Sequence, residues 1–289
     1  MPTNRVPAAD LKDLFGQVSH EVRIRVLAEL WDADEQTLSF STLRERVGVR
    51  DSGNFNYHLG SLTPELLRRD NDGYTLTYAG RQVVGAAVAG SYTDATELDV
   101  GTVDAGVCPS CGGRVETVYE DGDLVMDCED CGDLIARLPA PPVVMAAHDA
   151  DALPRVISDH FQTQSARLTR GFCKLCDGPV TATPTIATDH EAVTNPPELD
   201  VTFNCQACGD ITHLNIGVVV LHFPELRAFL HETGVDIRDR YLWELDILLK
   251  PNVSVFEDPL RVELVVTVDD EALALTVDES LALVGYERR

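Results

Sequence analysis

The sequence predicts an α+β protein with a helical N-terminal domain and a strand-rich C-terminal region. Helical periodicity dominates residues 1–90, and all eight cysteines fall in CxxC pairs between residues 108 and 208. Alternating apolar residues separated by turn residues dominate the chain after residue 242. At 289 residues the chain has room for two or three domains.

The segment 21–30, EVRIRVLAEL, predicts a helix buried in the N-terminal domain. Val22, Val26 and Leu30 recur at helical spacing, and Ile24 and Leu27 are expected close beside that stripe. His20 stands near the expected helix start.

A shorter helix is predicted next, because Leu43 and Val47 form an apolar pair at i and i+4. Gly48 is expected to end this helix, and Asp51 or Ser52 to cap the following one. The buried stripe of that following helix is Phe55, Leu59 and Leu62. Its opposite face is expected to carry Asn54, Asn56, Tyr57, His58 and Ser61.

A β-hairpin is predicted after the second of these helices. Asn71-Asp72-Gly73 is typical of a turn and precedes the alternating strand Tyr74–Tyr78, with Arg68 and Arg69 at the base. Helix, turn, helix and hairpin in this order predict a winged helix-turn-helix that presents its second helix to DNA. The alternative is a small α+β module whose polar helix face is exposed to solvent and binds nothing.

The segments SHEVRIRVLAEL, FSTLRERVGV, SGNFNYHLGSL and DGYTLTYAGRQVV resemble the winged-helix domain of ArsR-type transcriptional regulators, particularly those of halophilic archaea. The resemblance covers roughly residues 10–90. It implies binding to double-stranded DNA as a homodimer formed by flanking helices at 8–18 and 80–89. This family's metal sensors carry cysteines before the recognition helix, whereas no cysteine precedes Cys108 here, so metal sensing at that location is not expected.

The candidate DNA-contacting residues combine the exposed helix face with nearby arginines as phosphate partners. They are Arg44, Arg46, Arg50, Ser52, Asn54, Asn56, Tyr57, His58, Ser61, Arg68 and Arg69.

The charge is strongly acidic and unevenly distributed. The net charge is -25, and lysine occurs only at positions 12, 174 and 250, which is typical of a protein from a salt-accumulating halophile. Residues 1–90 hold ten basic and twelve acidic residues, so the region assigned to DNA is nearly neutral. At about 1 M salt the Debye length is about 3 Å, so distant carboxylates repel phosphates little.

No apolar segment resembles a signal peptide or approaches the roughly 20 residues needed to cross a bilayer. We therefore expect a cytoplasmic protein with no membrane partner.

The cysteines predict two structural Zn2+ ions per chain, because paired thiolates on tight turns can share a tetrahedral metal. Sequence neighbours are the expected partners, although crossed pairing and thiol redox or metal sensing stay open as alternatives. The expected ligands are Cys108, Cys111, Cys128, Cys131, Cys173, Cys176, Cys205 and Cys208. Positive φ is expected at the glycines that follow the pairs, Gly112, Gly132, Gly178 and Gly209.

The segments that follow the second and fourth pairs resemble each other and indicate a duplicated zinc-ribbon-plus-helix unit. Each runs from CGD through a strand and an apolar stretch to a helix with an early proline. The expected apolar helix faces are Leu153, Val156, Ile157, His160 and Phe161 in the first unit and Leu226, Phe229 and Leu230 in the second.

A C-terminal β-meander is predicted from strands at 242–248, 253–256, 261–268, 272–277 and 281–286. The full predicted organisation is a winged helix at 1–90, a linker at 91–107, zinc-ribbon units at 108–170 and 171–245, and the meander at 246–289.

These patterns predict a sequence-specific transcriptional regulator whose zinc-stabilised half senses or recruits a partner, including the transcription machinery. One alternative is a basal factor resembling archaeal transcription factor E, and another is a zinc-ribbon adaptor that binds only proteins. No phosphate loop, serine elbow or Cys-His arrangement is present, so we do not expect an enzyme.

Overall fold

The computed structural model describes residues 8–34, 37–90, 102–186, 199–249 and 251–289. These residues confirm the α+β class, with helices toward the N-terminus and antiparallel sheets toward the C-terminus. The described residues of 6–97 and 141–143 form one compact unit, the N-terminal unit, and those of 98–140 and 144–289 form the C-terminal unit. Residues 91–101 of the expected linker lie outside the described ranges, and its last part, Val103–Val107, is a strand.

The N-terminal unit contains five helices and one antiparallel hairpin among its described residues. They are α1 (Ala8–Val18), α2 (Glu21–Trp31), α3 (Phe40–Val47), α4 (Ser52–Leu62), β1 (Leu67–Arg69), β2 (Tyr74–Leu76) and α5 (Tyr78–Val88).

Local capping explains where these helices begin and end. His20 Nδ1 accepts a hydrogen bond from the Val22 N–H at 3.2 Å, and Ser39 Oγ accepts one from Thr42 at 3.2 Å. Asp51 Oδ1 accepts from Gly53 and Asn54 at 2.7 and 3.0 Å, which confirms it as the cap of α4. Gly48 ends α3 at φ 78°, as expected.

The apolar stripes of α2, α3 and α4 meet in one core, as the sequence predicts. Its buried members include Val26, Leu27, Leu30, Leu43, Val47, Phe55, Leu59 and Leu62. The expectation that Ile24 lies beside this core is wrong, because Ile24 is 54% exposed. Two residues along an α-helix rotate a side chain by about 200°, which carries Ile24 away from Val22 and Val26.

The hairpin is fixed to the chain that precedes α3. The Leu38 N–H donates to the Tyr74 carbonyl at 3.1 Å, and the Tyr74 N–H donates to the Leu38 carbonyl at 2.9 Å. A Cβ on Gly73 would lie 2.2 Å from the Leu38 carbonyl oxygen, so only glycine fits this approach. The strand is shorter than predicted, because Thr77 caps α5 by accepting from the Gly80 N–H and Tyr78 is already helical.

Where its structure is described, the C-terminal unit contains three antiparallel sheets, each a meander of sequential strands. The first comprises β3 (Val103–Val107), β4 (Arg114–Glu120), β5 (Asp123–Cys128) and β6 (Leu134–Pro139), and the second comprises β7 (Val180–Ile186), β8 (Leu199–Cys205) and β9 (Ile211–Asn215). The third comprises β10 (Asn252–Glu257), β11 (Leu260–Val268), β12 (Glu271–Asp278) and β13 (Leu283–Arg288).

The helices of this region follow the first two sheets in a repeated order. After β6 come a short helix and a long helix, and the same succession follows β9; both long helices have proline in the first turn. The helices are α6 (Pro142–Ala146), α7 (Leu153–Thr169), α8 (Ile216–Val220), α9 (Pro224–Glu232) and α10 (Asp246–Leu249). Leu153 and Ile157 of α7 and Leu226, Phe229 and Leu230 of α9 are buried, as expected.

The strand expected at 242–248 is replaced by a 3-10 turn, Leu242–Glu244, and by α10. Trp243, Leu245 and Ile247 alternate with acidic residues as in a strand, but Leu242 and Leu248 beside them are buried as well. Successive residues of a half-exposed strand point to opposite faces, so this burial does not fit a strand. The indole N–H of Trp243 donates to the Ala105 carbonyl at 2.9 Å, which satisfies its polar atom in the core.

Within the described ranges, the helices are all too short or too polar to span a lipid bilayer.

Candidate functional site

Two groups of four cysteines lie in the C-terminal unit, and each joins the pairs that are neighbours in sequence. In each group the four Sγ atoms lie within 4.8 Å of one another. Cys108 and Cys131 Sγ are 3.8 Å apart, and Cys111 and Cys128 Sγ are 3.5 Å apart. In the second group, Cys173–Cys208 and Cys176–Cys205 repeat the same 3.8 and 3.5 Å.

This geometry fits a tetrahedral metal ion. Zinc bound to four sulfurs at about 2.3 Å has sulfur–sulfur edges of about 3.8 Å. The two groups could therefore hold two metal ions, consistent with zinc, in the pairing expected from the sequence.

All four CxxC turns share one backbone arrangement. The N–H of the residue four positions after the first cysteine donates to that cysteine's carbonyl, at 2.8 to 3.2 Å. That residue has positive φ in every turn: 75° at Gly112 and Gly132, 80° at Gly209 and 58° at Asp177. The left-handed conformation closes the turn and directs both sulfurs to the same side.

The third turn departs from the sequence prediction, because Asp177 rather than Gly178 adopts positive φ. Aspartate tolerates this conformation better than most residues, and the Asp177 carboxylate also pairs with Arg167 of α7. Gly178 is required for another reason. A Cβ there would lie 2.6 Å from the Cβ of Ala207 and 3.1 Å from the Cys176 sulfur, so glycine lets the two turns approach.

The ligand set is divided between core and solvent. The first cysteine of each pair is buried, and the second is exposed. Backbone N–H groups point at the inner sulfurs: Ala207 and Cys208 donate to Cys205 Sγ at 3.4 Å, and Ser110 donates to Cys108 Sγ at 3.4 Å. Such donors stabilise thiolate, the form that binds metal.

In the second group of cysteines, the pKa values of Cys205 and Cys208 shift in opposite directions. Burial opposes ionisation of Cys205, yet the N–H donors and neighbouring thiols lower its pKa to about 6. At Cys208 the Asp210 N–H favours the thiolate, but burial and the sulfurs of Cys176, Cys205 and Cys173 raise the pKa to about 12. Four thiolates this close therefore require a cation, which is the condition a tetrahedral zinc meets.

The second candidate surface is the solvent side of α4 in the N-terminal unit. Ser52, Asn54, Asn56 and Tyr57 are exposed, and Tyr57 is 66% accessible. Ser61 is half-buried, and its hydroxyl donates to the Tyr57 carbonyl at 3.1 Å. The exposed face thus presents amides, hydroxyls and one aromatic ring, and carries no charge.

His58 does not belong to this face, so the sequence prediction of exposure is wrong for this residue. It is 3% exposed, and its ring lies 4.2 Å from that of His20. His58 is three residues after Phe55 and one before Leu59, which places it at the edge of the buried stripe. Burial, followed by the charges of His20 and Arg23, lowers its pKa.

The predicted phosphate partners fall into two groups. Arg44 lies over the Phe40 ring at 5.9 Å, and Arg46 lies 4.0 Å from Glu29, so both have partners within the unit. Arg50, Arg68 and Arg69 are exposed, and Arg69 lies over the Tyr74 ring at 5.6 Å.

Sequence reasoning missed Arg23, which connects α1, α2 and α4. Its guanidinium donates to the carbonyls of Gly16 and Gln17 at 3.1 and 3.0 Å and to Ser61 Oγ at 3.1 Å. It also lies 5.9 Å from the Tyr57 ring centroid. The sequence pattern does not reveal this role, because Arg23 and Ser61 are 38 residues apart along the chain.

Comparison with known families gives two matches. The family model described as domain of unknown function (DUF7351) matches residues 105–283, and the one described as domain of unknown function (DUF7347) matches residues 11–87. Searches of curated proteins and of solved structures gave no match.

Proposed function

We propose a function for this chain, which belongs to the family described as domain of unknown function (DUF7351): it is a sequence-specific DNA-binding transcriptional regulator whose C-terminal unit is stabilised by two zinc ions. The observation that carries this proposal is the uncharged, exposed face of α4 formed by Asn54, Asn56 and Tyr57. Amide side chains form paired hydrogen bonds with adenine in the major groove, and hydroxyls bond to bases or phosphates.

The arrangement around α4 supports a winged helix. Helices α2, α3 and α4 precede an antiparallel hairpin, and Leu38 pairs with the hairpin at Tyr74. In such folds the second helix of the helix-turn-helix enters the groove. Here that helix is α4, whose buried side is fixed by Phe55, Leu59 and Leu62.

Phosphate contacts are assigned to Arg50, Arg68 and Arg69, because these arginines are exposed and form no ion pair with a carboxylate in the described ranges. The tip of the hairpin carries Asp70 and Asp72, which repel phosphates, so the base of the hairpin is the better contact. The near-neutral charge of residues 1–90 favours this unit over the rest of the chain for DNA binding.

Exposed apolar residues on the flanking helices support a homodimer. Leu14 and Phe15 of α1 are 37% and 52% exposed, and Val88 of α5 is 57% exposed. Burying these side chains against a second copy would remove apolar surface from water. A dimer would bind inverted half-sites spaced by the helical repeat of DNA.

The test is selection of genomic fragments by the purified, zinc-loaded chain in molar potassium chloride, comparing it with Asn56→Ala/Tyr57→Ala. The wild-type chain should recover fragments that share an inverted repeat. The variant should bind them about 30-fold more weakly or worse, since each base contact contributes about 1 kcal/mol or more.

Asn252→Ala/Tyr286→Ala is the matched control, because it removes the same residue types from exposed positions of the C-terminal unit. It should bind as the wild type does, and circular dichroism should show both variants folded. Equal binding by the wild type and the Asn56→Ala/Tyr57→Ala variant would show that α4 is not the recognition helix. Failure to select any fragment, with a stable protein partner, would favour an adaptor.

A further inference from the structure

A second polar site lies in the C-terminal unit, away from both groups of cysteines. An open cavity of about 400 Å³ lies between the C-terminal half of α7 and the start of α9. Its lining residues are Asp159, Gln162, Thr163, Ala166, Arg167, Arg170 and Arg227. Three arginines and a single acidic residue line a cavity in the part of the chain that holds most of the negative charge.

A chain of hydrogen bonds fixes the guanidinium of Arg227. The buried Ser165 hydroxyl donates to the Gln162 carbonyl at 3.1 Å and lies 2.9 Å from His222 Nε2. Because the Ser165 hydroxyl proton is donated to Gln162, the Ser165 oxygen accepts a hydrogen bond from Nε2–H of His222. The other ring nitrogen, Nδ1, then accepts from Arg227 Nη2 at 3.3 Å. Arg227 Nε also donates to the Leu221 carbonyl at 2.9 Å.

This arrangement requires a neutral His222. Burial, and then the charges of Arg227 and Arg170, lower its pKa to about 4. His222 is therefore uncharged near neutral pH and acts as an acceptor that orients Arg227. Two N–H groups of Arg227 are committed, which leaves the other three free to bind a ligand.

The remaining arginines complete one wall of the cavity. Arg167 forms an ion pair with the Asp177 carboxylate, and its Nη2 donates to the Cys173 carbonyl at 3.2 Å. Arg170 and Arg227 form no ion pair with any carboxylate in the described ranges. Two cations that face one cavity repel each other, and an anion between them would remove that repulsion.

We propose that this cavity binds a small oxyanion, the phosphate or carboxylate group of a small molecule, between Arg170 and Arg227. The planar guanidinium matches two oxygens of either group, and Gln162 adds an amide donor. This site goes beyond the proposed function and does not depend on DNA binding.

The test is calorimetric titration of the zinc-loaded full chain with inorganic phosphate and, separately, with citrate. The potassium chloride concentration is the lowest at which the chain stays folded, because chloride competes for arginine. The Arg170→Gln/Arg227→Gln variant should bind the preferred probe about ten-fold more weakly or worse, the loss expected when charge-assisted hydrogen bonds are removed. Both arginines are exposed, so the variant should fold.

The matched control is Arg238→Gln/Arg240→Gln, which removes the same charge from exposed positions outside the cavity lining. Binding to this control should equal binding to the wild type. Preference for phosphate or for citrate identifies the oxyanion class. The inference is overturned if neither probe binds or if both variants lose binding equally. It is also overturned if the cavity variant loses affinity only for nucleic acid.

Discussion

The two units fix the ends of their helices and strands by different means. In the N-terminal unit, side-chain caps from His20, Ser39, Asp51 and Thr77 begin four of the helices over one apolar core. In the C-terminal unit, Asn215 caps the short α8, but the longer α7 and α9 have proline in the first turn and no side-chain cap. There, CxxC turns from separate parts of the sequence converge in two groups of four cysteines.

This difference shows that one unit is specified by local sequence and the other by residues brought together from a distance. Caps act within three residues of the backbone that they satisfy. The cysteine pairs of the second group are separated by the 28 residues 177–204, and four thiolates repel one another until a cation joins them. The C-terminal unit should therefore depend on metal, and the N-terminal unit should not.

Metal removal should have the largest effect and should separate the two units most sharply. A chelator added to the full chain should abolish hydrogen-exchange protection in the sheets β3–β6 and β7–β9, because structural zinc contributes about 10 kcal/mol to folding. Protection in α2 to α4 should persist. The measurement is hydrogen exchange followed by mass spectrometry, with zinc content determined on the same sample.

Two observations would contradict this comparison. If protection of the sheets survives when both ions are gone, the apolar core alone holds the C-terminal unit. If α2 to α4 lose protection as well, the two units do not unfold independently. Where protection has been lost, restoring zinc should restore it.

Replacing Phe55 with Ala should have the next largest effect and should act on the N-terminal unit. Phe55 is fully buried at the centre of its core, and such truncations cost about 3–5 kcal/mol. Hydrogen exchange should show α2 to α4 destabilised and the zinc content unchanged. Tyr57→Ala is the matched control on the same helix, and its 66% exposure predicts a change within about 0.5 kcal/mol. Similar destabilisation by both would mean that the core is misassigned.

Acidification should have a smaller effect on the N-terminal unit, through His58. Burial and the neighbouring charges of His20 and Arg23 lower its pKa below the ordinary 6.5, so folding favours the neutral ring. The stability from this source is complete above pH 6.5 and declines as pH falls toward the lowered pKa. Denaturant midpoints of the N-terminal unit should therefore fall below pH 6.5. His58→Gln should reduce that slope, and an unchanged slope would rule out His58 as its source.

The sequence predicted features that depend on neighbours along the chain. The Asp51 cap, the Gly48 helix end and the stripe of Phe55, Leu59 and Leu62 follow from spacing and local hydrogen bonding. The sequence also predicted that neighbouring CxxC pairs form one group, because two thiolates on one tight turn can bind the same metal ion.

Features that depend on distant contacts were missed. His58 is buried with its ring 4.2 Å from that of His20, and Gly178 is required by Ala207 from another turn. The alternating apolar residues of segment 242–248 suit a strand, but the segment forms a 3-10 turn and a short helix in which Leu242 and Leu248 are buried too. The cavity between α7 and α9 joins residues 159–170 to Arg227, which no spacing along the chain relates.

The division of each cysteine group between core and solvent fixes the order in which its ligands can detach. Cys111, Cys131, Cys176 and Cys208 are exposed, whereas the other four cysteines are buried. Oxidants and competing chelators approach from solvent. An exposed sulfur would therefore dissociate first, while the buried sulfurs still bind the ion. Exchange of a bound metal ion at either group would therefore begin at the surface and could reverse before the fold opens.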